Sequence, residues 1–180
     1  PGKKIGVFVI AFNAESHIRE TLARIPENVW QAISVLYVVD DCSTDNTVVE
    51  ALAFAAHRDK IRILRNRVNR RYGGNQKFGY QYALDNQLDI VVLLHADGQY
   101  APECLESILE PLVTNNADAV IGSRMMQRRQ ALKGRMPRYK YFGNIILTYM
   151  QNTICQTRFS EYHSGFRAYS RTTCLKLNLY

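Results

Sequence analysis

Five short apolar runs, each ending in polar residues and each separated from the next by a stretch of helical spacing, constrain this chain more than any other feature. Ile5-Gly6-Val7-Phe8-Val9-Ile10-Ala11 is continuous rather than alternating, the form of a strand covered on both faces in a parallel sheet. Residues 33–39, 61–64, 89–94 and 118–123 repeat it. Between them, residues 14–25 place Ile18, Leu22 and Ile25 on one stripe and close at Pro26. Further helices are predicted over 46–56, where Ser43-Thr44-Asp45 offers caps, over 75–86, and over 102–113, where Pro102 suits a first turn. This alternation predicts an α/β fold: a mostly parallel sheet with right-handed crossovers and helices on both faces. In such a sheet the chemistry sits at the carboxyl ends of the strands. After residue 124 the rhythm breaks. Residues 125–138 are basic and Met-rich, residues 139–154 read as an amphipathic helix, and residues 164–169 as one more strand.

A length of 180 residues implies one domain, taken as residues 1–180. The absence of an initiator Met and of an end signal at Tyr180 suggests a piece of a longer parent. No apolar run reaches the ~18 residues of a membrane span, and no signal-peptide pattern opens the chain. The four cysteines, Cys42, Cys104, Cys155 and Cys174, form no C-x-x-C pair, which argues against zinc and for reduced thiols in a cytoplasmic protein. Lys and Arg outnumber Asp and Glu by 23 to 16, a net +7 that favours anionic partners. Nucleotide phosphates, lipid phosphates, an acidic membrane surface and nucleic acid all qualify.

The polar clusters fall where the predicted strands end. Asp40-Asp41 follow a buried strand directly. Adjacent carboxylates repel, and one can accept from a nucleoside's base or ribose while Asp45 caps the next helix. In His95-Ala96-Asp97-Gly98-Gln99, alternate side chains at 95, 97 and 99 can share one side of an extended turn. Asp97 is a hard oxygen donor suited to Mg²⁺ or Mn²⁺. The plainer reading is a strand-end histidine and a turn-forming Asp before Gly98; the strand-end position favours function. Asn69-Arg70-Arg71-Tyr72-Gly73-Gly74-Asn75-Gln76-Lys77 leads into a helix and admits close approach of an anion, through Gly73, Asn75 and Lys77. It lacks the G-K-[ST] ending of a Walker loop. Arg124, Arg128, Arg129, Lys133, Arg135, Arg138 and Lys140 run without an acidic residue between them. This is either a solvated loop or a receiver for an acceptor phosphate. Glu161 and His163 are candidate general bases.

Taken in order, Val9-Ile10-Ala11-Phe12-Asn13-Ala14-Glu15, Val39-Asp40-Asp41-Cys42-Ser43-Thr44-Asp45-Asn46-Thr47, His95-Ala96-Asp97-Gly98-Gln99, Ile121-Gly122-Ser123-Arg124 and Ser164-Gly165-Phe166-Arg167 resemble family 2 glycosyltransferases of the GT-A fold, which is Rossmann-like. Within that family the chain is most similar to dolichol-phosphate mannose or glucose synthases and bacterial polyprenyl-phosphate relatives. The resemblance implies an inverting transferase with a UDP- or GDP-linked donor. Ala11, Phe12, Asn13, Glu15, Asp40 and Asp41 would hold the nucleoside, with Ala96 beside them. The acidic metal motif falls on His95, Asp97 and Gln99, and Arg124 would face the acceptor phosphate. The chain has His95 where the family usually has Asp, and Ala11 where it usually has Pro, so Asp97 takes most of the metal-binding role.

A phosphate acceptor is anionic at neutral pH and needs no dedicated base, whereas a hydroxyl does. The basic run and the lack of one unambiguous base therefore favour a lipid-phosphate acceptor at the cytoplasmic face of a membrane. The alternatives are transfer to a saccharide hydroxyl, and a binding domain whose activity His95 has weakened. A sugar nucleotidyltransferase would need a basic Gly-rich loop after the first strand, where Phe12-Asn13-Ala14-Glu15 stand instead. Nucleic acid is not expected as a partner.

Overall fold

Alternate residues of the three central strands belong to two different hydrophobic clusters. Val7, Val9, Leu36, Val38, Val92 and Leu94 lie in one; Phe8, Ile10, Tyr37, Val39, Val91 and Leu93 lie in the other. Side chains alternate across a strand, so both faces of the sheet carry a core, and this is why the runs read as continuously apolar. The computed structural model describes residues 2–123, 125, 138–177 and 179. Its strands are β1 (Ile5–Ala11), β2 (Val35–Asp40), β3 (Ile61–Arg65), β4 (Ile90–His95), β5 (Ala119–Ile121) and β6 (Arg167–Ser170). Its α-helices are α1 (Ile18–Ala23), α2 (Glu27–Ala32), α3 (Thr47–Ala55), α4 (Arg71–Asp85), α5 (Leu105–Val113), α6 (Arg138–Cys155) and α7 (Arg171–Lys176). A 3₁₀ turn over Pro102–Cys104 precedes α5.

The sheet order is β3-β2-β1-β4-β6-β5. β1 pairs in parallel with β2 and β4, β2 in parallel with β3, and β6 runs antiparallel to β4. Ile18 and Leu22 of α1, Trp30 of α2, Ala51 of α3 and Leu105, Ile108 and Leu112 of α5 cover one face. Tyr80 and Ala83 of α4 and Cys174 of α7 cover the other. The expected α/β fold, mostly parallel with helices on both faces, is the one observed.

Three sequence expectations are corrected. Pro26 does not close a helix over 14–25: α1 spans only Ile18–Ala23, and Pro26, at φ −62, is the N-cap of the unforeseen α2. A residue with fixed φ and no N–H is well placed just ahead of a helix, so proline marks starts as well as stops. The fourth helix begins at Arg71, not near 75; the Asn69 side chain accepts from the Arg71 N–H at 2.8 Å, and Gly73 and Gly74 lie within the helix. The last strand is Arg167–Ser170 rather than 164–169.

Contacts divide the chain into two compact units, Pro1–Val120 with Phe166–Tyr180, and Ile121–Gly165. The first holds the two cores. In the second, the buried Glu161 carboxylate accepts from Asn144 Nδ2 at 2.9 Å and Ser123 Oγ at 3.4 Å. Asn152 Nδ2 donates to the Phe159 carbonyl at 2.8 Å and its Oδ1 accepts from the Phe159 N–H at 2.9 Å.

Gly79 of α4 packs directly on Phe8, and a Cβ there would overlap the Phe8 ring, which is itself stacked on Tyr37 at 5.2 Å. Gly79→Ala is expected to destabilise the fold by about 1–3 kcal/mol, read as a lower urea midpoint at unchanged m-value. Burial pushes the Cys174 thiol up to about 12. The fold therefore favours the protonated thiol. Its contribution to stability is complete below the ordinary value of 9.0 and is lost as pH rises toward about 12. Urea midpoints should fall above about pH 9, and Cys174→Ala should make that decline shallower.

Candidate functional site

Three neighbouring strands stop at nearly the same level. β1 ends at Ala11, paired with Asp40 at the end of β2, and Ile10 pairs with His95 at the end of β4. The loops that follow, with the start of α4, enclose a cleft of about 720 Å³. From β1 it is lined by Ile10, Ala11, Phe12 and Ala14, from β2 by Asp41, and from β4 by His95, Ala96 and Asp97. Asn69, Arg71, Tyr72 and Asn75 complete it from the opening of α4. The volume and the mixture of apolar walls with a few polar groups suit a small-molecule ligand. Backbones in the left-handed region cluster around it: Asn13 at φ 47, Cys42 at 62, Arg71 at 59 and Gly98 at 70. Only Gly98 adopts that region without steric cost, and such conformations gather at functional loops.

The two adjacent aspartates have different surroundings. Asp40 is fully buried and outside the cleft lining; its carboxylate accepts from the Ser43 N–H at 3.0 Å and from the Ser43 hydroxyl. Arg65 Nε stands 3.4 Å from it, and the same guanidinium donates to the Ser43 carbonyl at 2.9 Å. Asp41 lines the cleft. Its Oδ1 accepts from Asn66 Nδ2 at 2.9 Å and from the Arg70 N–H at 2.8 Å. Among the described residues Oδ2 has no hydrogen-bond partner. Asn66 also donates to Asn75 Oδ1 at 3.0 Å, and Asn75 donates to the Val39 carbonyl at 3.0 Å. Buried amides thus hold Asp41 against the end of β2, one oxygen fixed. The expected nucleoside pair comes to the cleft through Asp41 alone.

Asn13 and Glu15 sit on the exposed loop beside it, and their described bonds join that loop to the one after β2. Asn13 Oδ1 accepts from the Thr44 N–H at 3.0 Å. Glu15 Oε2 accepts from the Asn46 N–H at 3.1 Å and Oε1 from Asn46 Nδ2 at 3.0 Å. Asp45 was expected as the cap of α3, but the N-cap residue is Asn46, whose side chain makes no capping bond; Asp45, one residue earlier, accepts from the Thr47 N–H at 3.0 Å and the Glu15 N–H at 3.1 Å. Gly73 and Lys77 lie on α4 outside the lining, with Lys77 exposed.

In the second acidic turn, His95 Nε2 and the Tyr72 hydroxyl are 3.1 Å apart, and the His95 ring also stands edge-on to Tyr100 at 5.0 Å. Partial burial first, and neighbouring Tyr100 next, push the phenol of the half-exposed Tyr72 above its usual range. Asp97 accepts the Gln99 N–H at 3.0 Å, and Gln99 does not line the cleft. Of the three expected metal ligands, His95 and Asp97 reach the cleft. Among the described residues no three His, Cys, Asp or Glu side chains are grouped to hold a metal. A single carboxylate with one imidazole fits a hard cation that takes the rest of its shell from water or a bound diphosphate, and does not fit a closed protein cage.

Glu161 and His163 belong to the second unit, Glu161 buried and His163 exposed. Arg124, Arg128, Arg129, Lys133 and Arg135 lie outside the described residues, and of Arg138 and Lys140 only the backbone, at the start of α6, is described. Asn66, Tyr72 and Tyr100 carry more of the site than the sequence suggested. Tyr72 stands in the stretch singled out, but no spacing signals its pairing with a histidine 23 positions later.

The mostly parallel sheet, its antiparallel β6 and the cleft at the strand ends define a GT-A glycosyltransferase fold. Glycosyl transferase family 2 matches residues 6–177, and the chain belongs to that family. An uncharacterised protein of Methanocaldococcus jannaschii is 33% identical over 174 residues, covering 97% of this chain and 68% of its own. The Methanococcus voltae UDP-N-acetylglucosamine–dolichyl-phosphate N-acetylglucosaminyltransferase is 25% identical over 182 residues, covering 94% and 70%. The glucosyl-3-phosphoglycerate synthase of Mycobacterium tuberculosis, crystallised with Mn²⁺, UDP and phosphoglyceric acid, superposes with a TM-score of 0.68 at 20% identity. That match covers 95% of this chain and 57% of the synthase, so this chain spans little more than half its length.

Asn66→Ala removes one of the two donors to Asp41 Oδ1 and the donor to Asn75 Oδ1. It is expected to cost about 1–3 kcal/mol in urea unfolding, and to weaken nucleotide binding measured by calorimetry.

Proposed function

We propose that the chain is the donor-binding and catalytic domain of an inverting glycosyltransferase that moves a sugar from a UDP- or GDP-linked donor to a polyprenyl or dolichyl phosphate. The observation that carries this reading is the gathering of Asp41, His95 and Asp97 around one cleft at adjacent strand ends, with Asp41 held by buried amides. Family membership supports sugar transfer, and the name of the Methanococcus relative supports a lipid-phosphate acceptor.

In this reading Asp41 Oδ2 accepts from the base or ribose of the donor, while Ala11 and Phe12 form the adjoining apolar wall. Asp97, with His95 beside it, would hold Mg²⁺ or Mn²⁺. Such a cation supplies charge neutralisation at the departing diphosphate. Tyr72 fixes the orientation of the His95 ring through its hydroxyl. An acceptor phosphate oxygen gives a lone pair to the anomeric carbon as the bond from that carbon to the diphosphate oxygen breaks. The nucleoside diphosphate leaves with that electron pair, and a single displacement inverts the anomeric centre.

The test is transfer of labelled sugar from UDP- and GDP-linked donors to undecaprenyl phosphate in detergent, with Mn²⁺ and then with chelator. Asp97→Asn is expected to lose about 100-fold in transfer, and chelation to abolish it. Full activity in Asp97→Asn would remove that residue from the mechanism. Transfer to a saccharide hydroxyl and not to the lipid phosphate would overturn the acceptor.

A further inference from the structure

Arg71 opens α4 with φ at 59, in the left-handed region that arginine enters only at a steric cost. Non-glycine residues held there gather at functional loops, where the side chain has a use. The neighbours of Arg71 show what that use is. The Arg70 N–H donates to Asp41 Oδ1 at 2.8 Å, so the preceding residue touches the nucleoside end of the cleft. The Tyr72 hydroxyl is 3.1 Å from His95 Nε2, so the following residue touches the other end, two positions before Asp97. Arg71 stands between these two ends and lines the cleft. Among the described residues that line it, Arg71 is the only Arg or Lys, and it shares the cleft with two carboxylates, Asp41 and Asp97. Nearby guanidinium groups are already committed. Arg65 stands 3.4 Å from Asp40 and donates to the Ser43 carbonyl, and Arg70 lies over the Phe78 ring at 5.5 Å. Arg71 is exposed, and its guanidinium has no partner among the described residues. Its own N–H is held by Asn69 Oδ1 at 2.8 Å, which fixes the backbone from which the side chain leaves.

We propose that the Arg71 guanidinium binds the diphosphate of the donor nucleotide, between the nucleoside at Asp41 and the cation at Asp97. The proposal rests on the donor-binding reading above and deepens it by giving the diphosphate its own residue. A guanidinium is always charged and presents a planar fork of donors that meets phosphate oxygens at two points. Two carboxylates in the cleft repel a diphosphate, and a cation fixed beside them offsets that repulsion. Negative charge on the diphosphate grows as its bond to the sugar breaks, so the same contact tightens on the departing group. Lys77, the cation that the sequence offered in this stretch, lies outside the cleft lining.

The experiment compares the full chain with its Arg71→Gly variant, because glycine adopts the same φ without steric cost and keeps the backbone in place. Titration calorimetry with UDP and with GDP, in Mn²⁺, gives the diphosphate affinity. Ligand-observed NMR at millimolar concentrations gives the affinity for uridine and guanosine. The variant is expected to lose about tenfold to a hundredfold for the nucleoside diphosphate, and to bind the parent nucleoside as the unaltered chain does. Arg71→Lys, which keeps the charge without the fork, is expected to fall between the two. Arg71→Asn, a second residue that tolerates the left-handed region, gives the same measurement should glycine loosen the turn, and a circular dichroism spectrum like that of the unaltered chain confirms the fold. Diphosphate affinity unchanged in the folded variants overturns the proposal. So does an equal loss for the nucleoside, since Arg71 then touches the base or ribose. The binding assay reads no sugar transfer, so a diphosphate-specific loss in a chain that transfers no sugar sinks the proposed transfer alone. Transfer by a chain whose diphosphate affinity ignores the variants sinks this inference alone. An unaltered chain that binds neither nucleotide overturns both.

Discussion

β1 is hydrogen-bonded along both edges and covered on both faces, and the larger unit is arranged around that burial. Both neighbours of β1 run parallel to it, and parallel neighbours are joined by crossovers, because hairpins cannot make them. Helices must then return over both faces of the sheet. The same constraint makes β1, β2 and β4 end together, so their following loops share one rim. The cleft lies where those loops meet.

At that rim, the partners of each carboxylate distinguish two residues that are both buried. Asp40 and Asp41 are adjacent, yet Asp40 lies under Ser43 and Arg65 while Asp41 opens to the cleft. Two neighbouring charges are tolerated because donors from different elements divide between them: Ser43 from the loop after β2, Arg65 from β3, Asn66 from beyond β3, and the Arg70 N–H at the start of α4. Asn13, Glu15 and Asp45 serve the same rim by bonding one loop to another. Rigid loops of this kind lower the entropy lost when a ligand is held.

The second unit follows a different logic. The buried Glu161 carboxylate accepts from Asn144 and Ser123, and large apolar side chains of α6 are exposed. Where the larger unit balances its charges, this one concentrates the cationic excess of the whole chain.

The sequence by itself determined the sheet and which polar residues stand at the ends of its strands. Continuous apolar runs at 5–11, 33–39 and 89–94 mean burial on both faces, and that physics is local enough to read from residue order. Asp41, His95 and Asp97 were legible for the same reason, since a polar residue directly after a buried strand has only the sheet's end to occupy. Tertiary structure alone decided the partners. The donation of Asn66 to Asp41, the 3.1 Å approach of Tyr72 to His95 and the withdrawal of Asp40 beneath Ser43 depend on how loops from different strands fold over one another. The start of α4 at Arg71, beside the Asn69 side chain, and the extra helix after Pro26 likewise appear only in the fold. Periodicity records which side of an element is buried; it carries no record of which distant side chain will lie against it, because that contact exists only once the elements have packed.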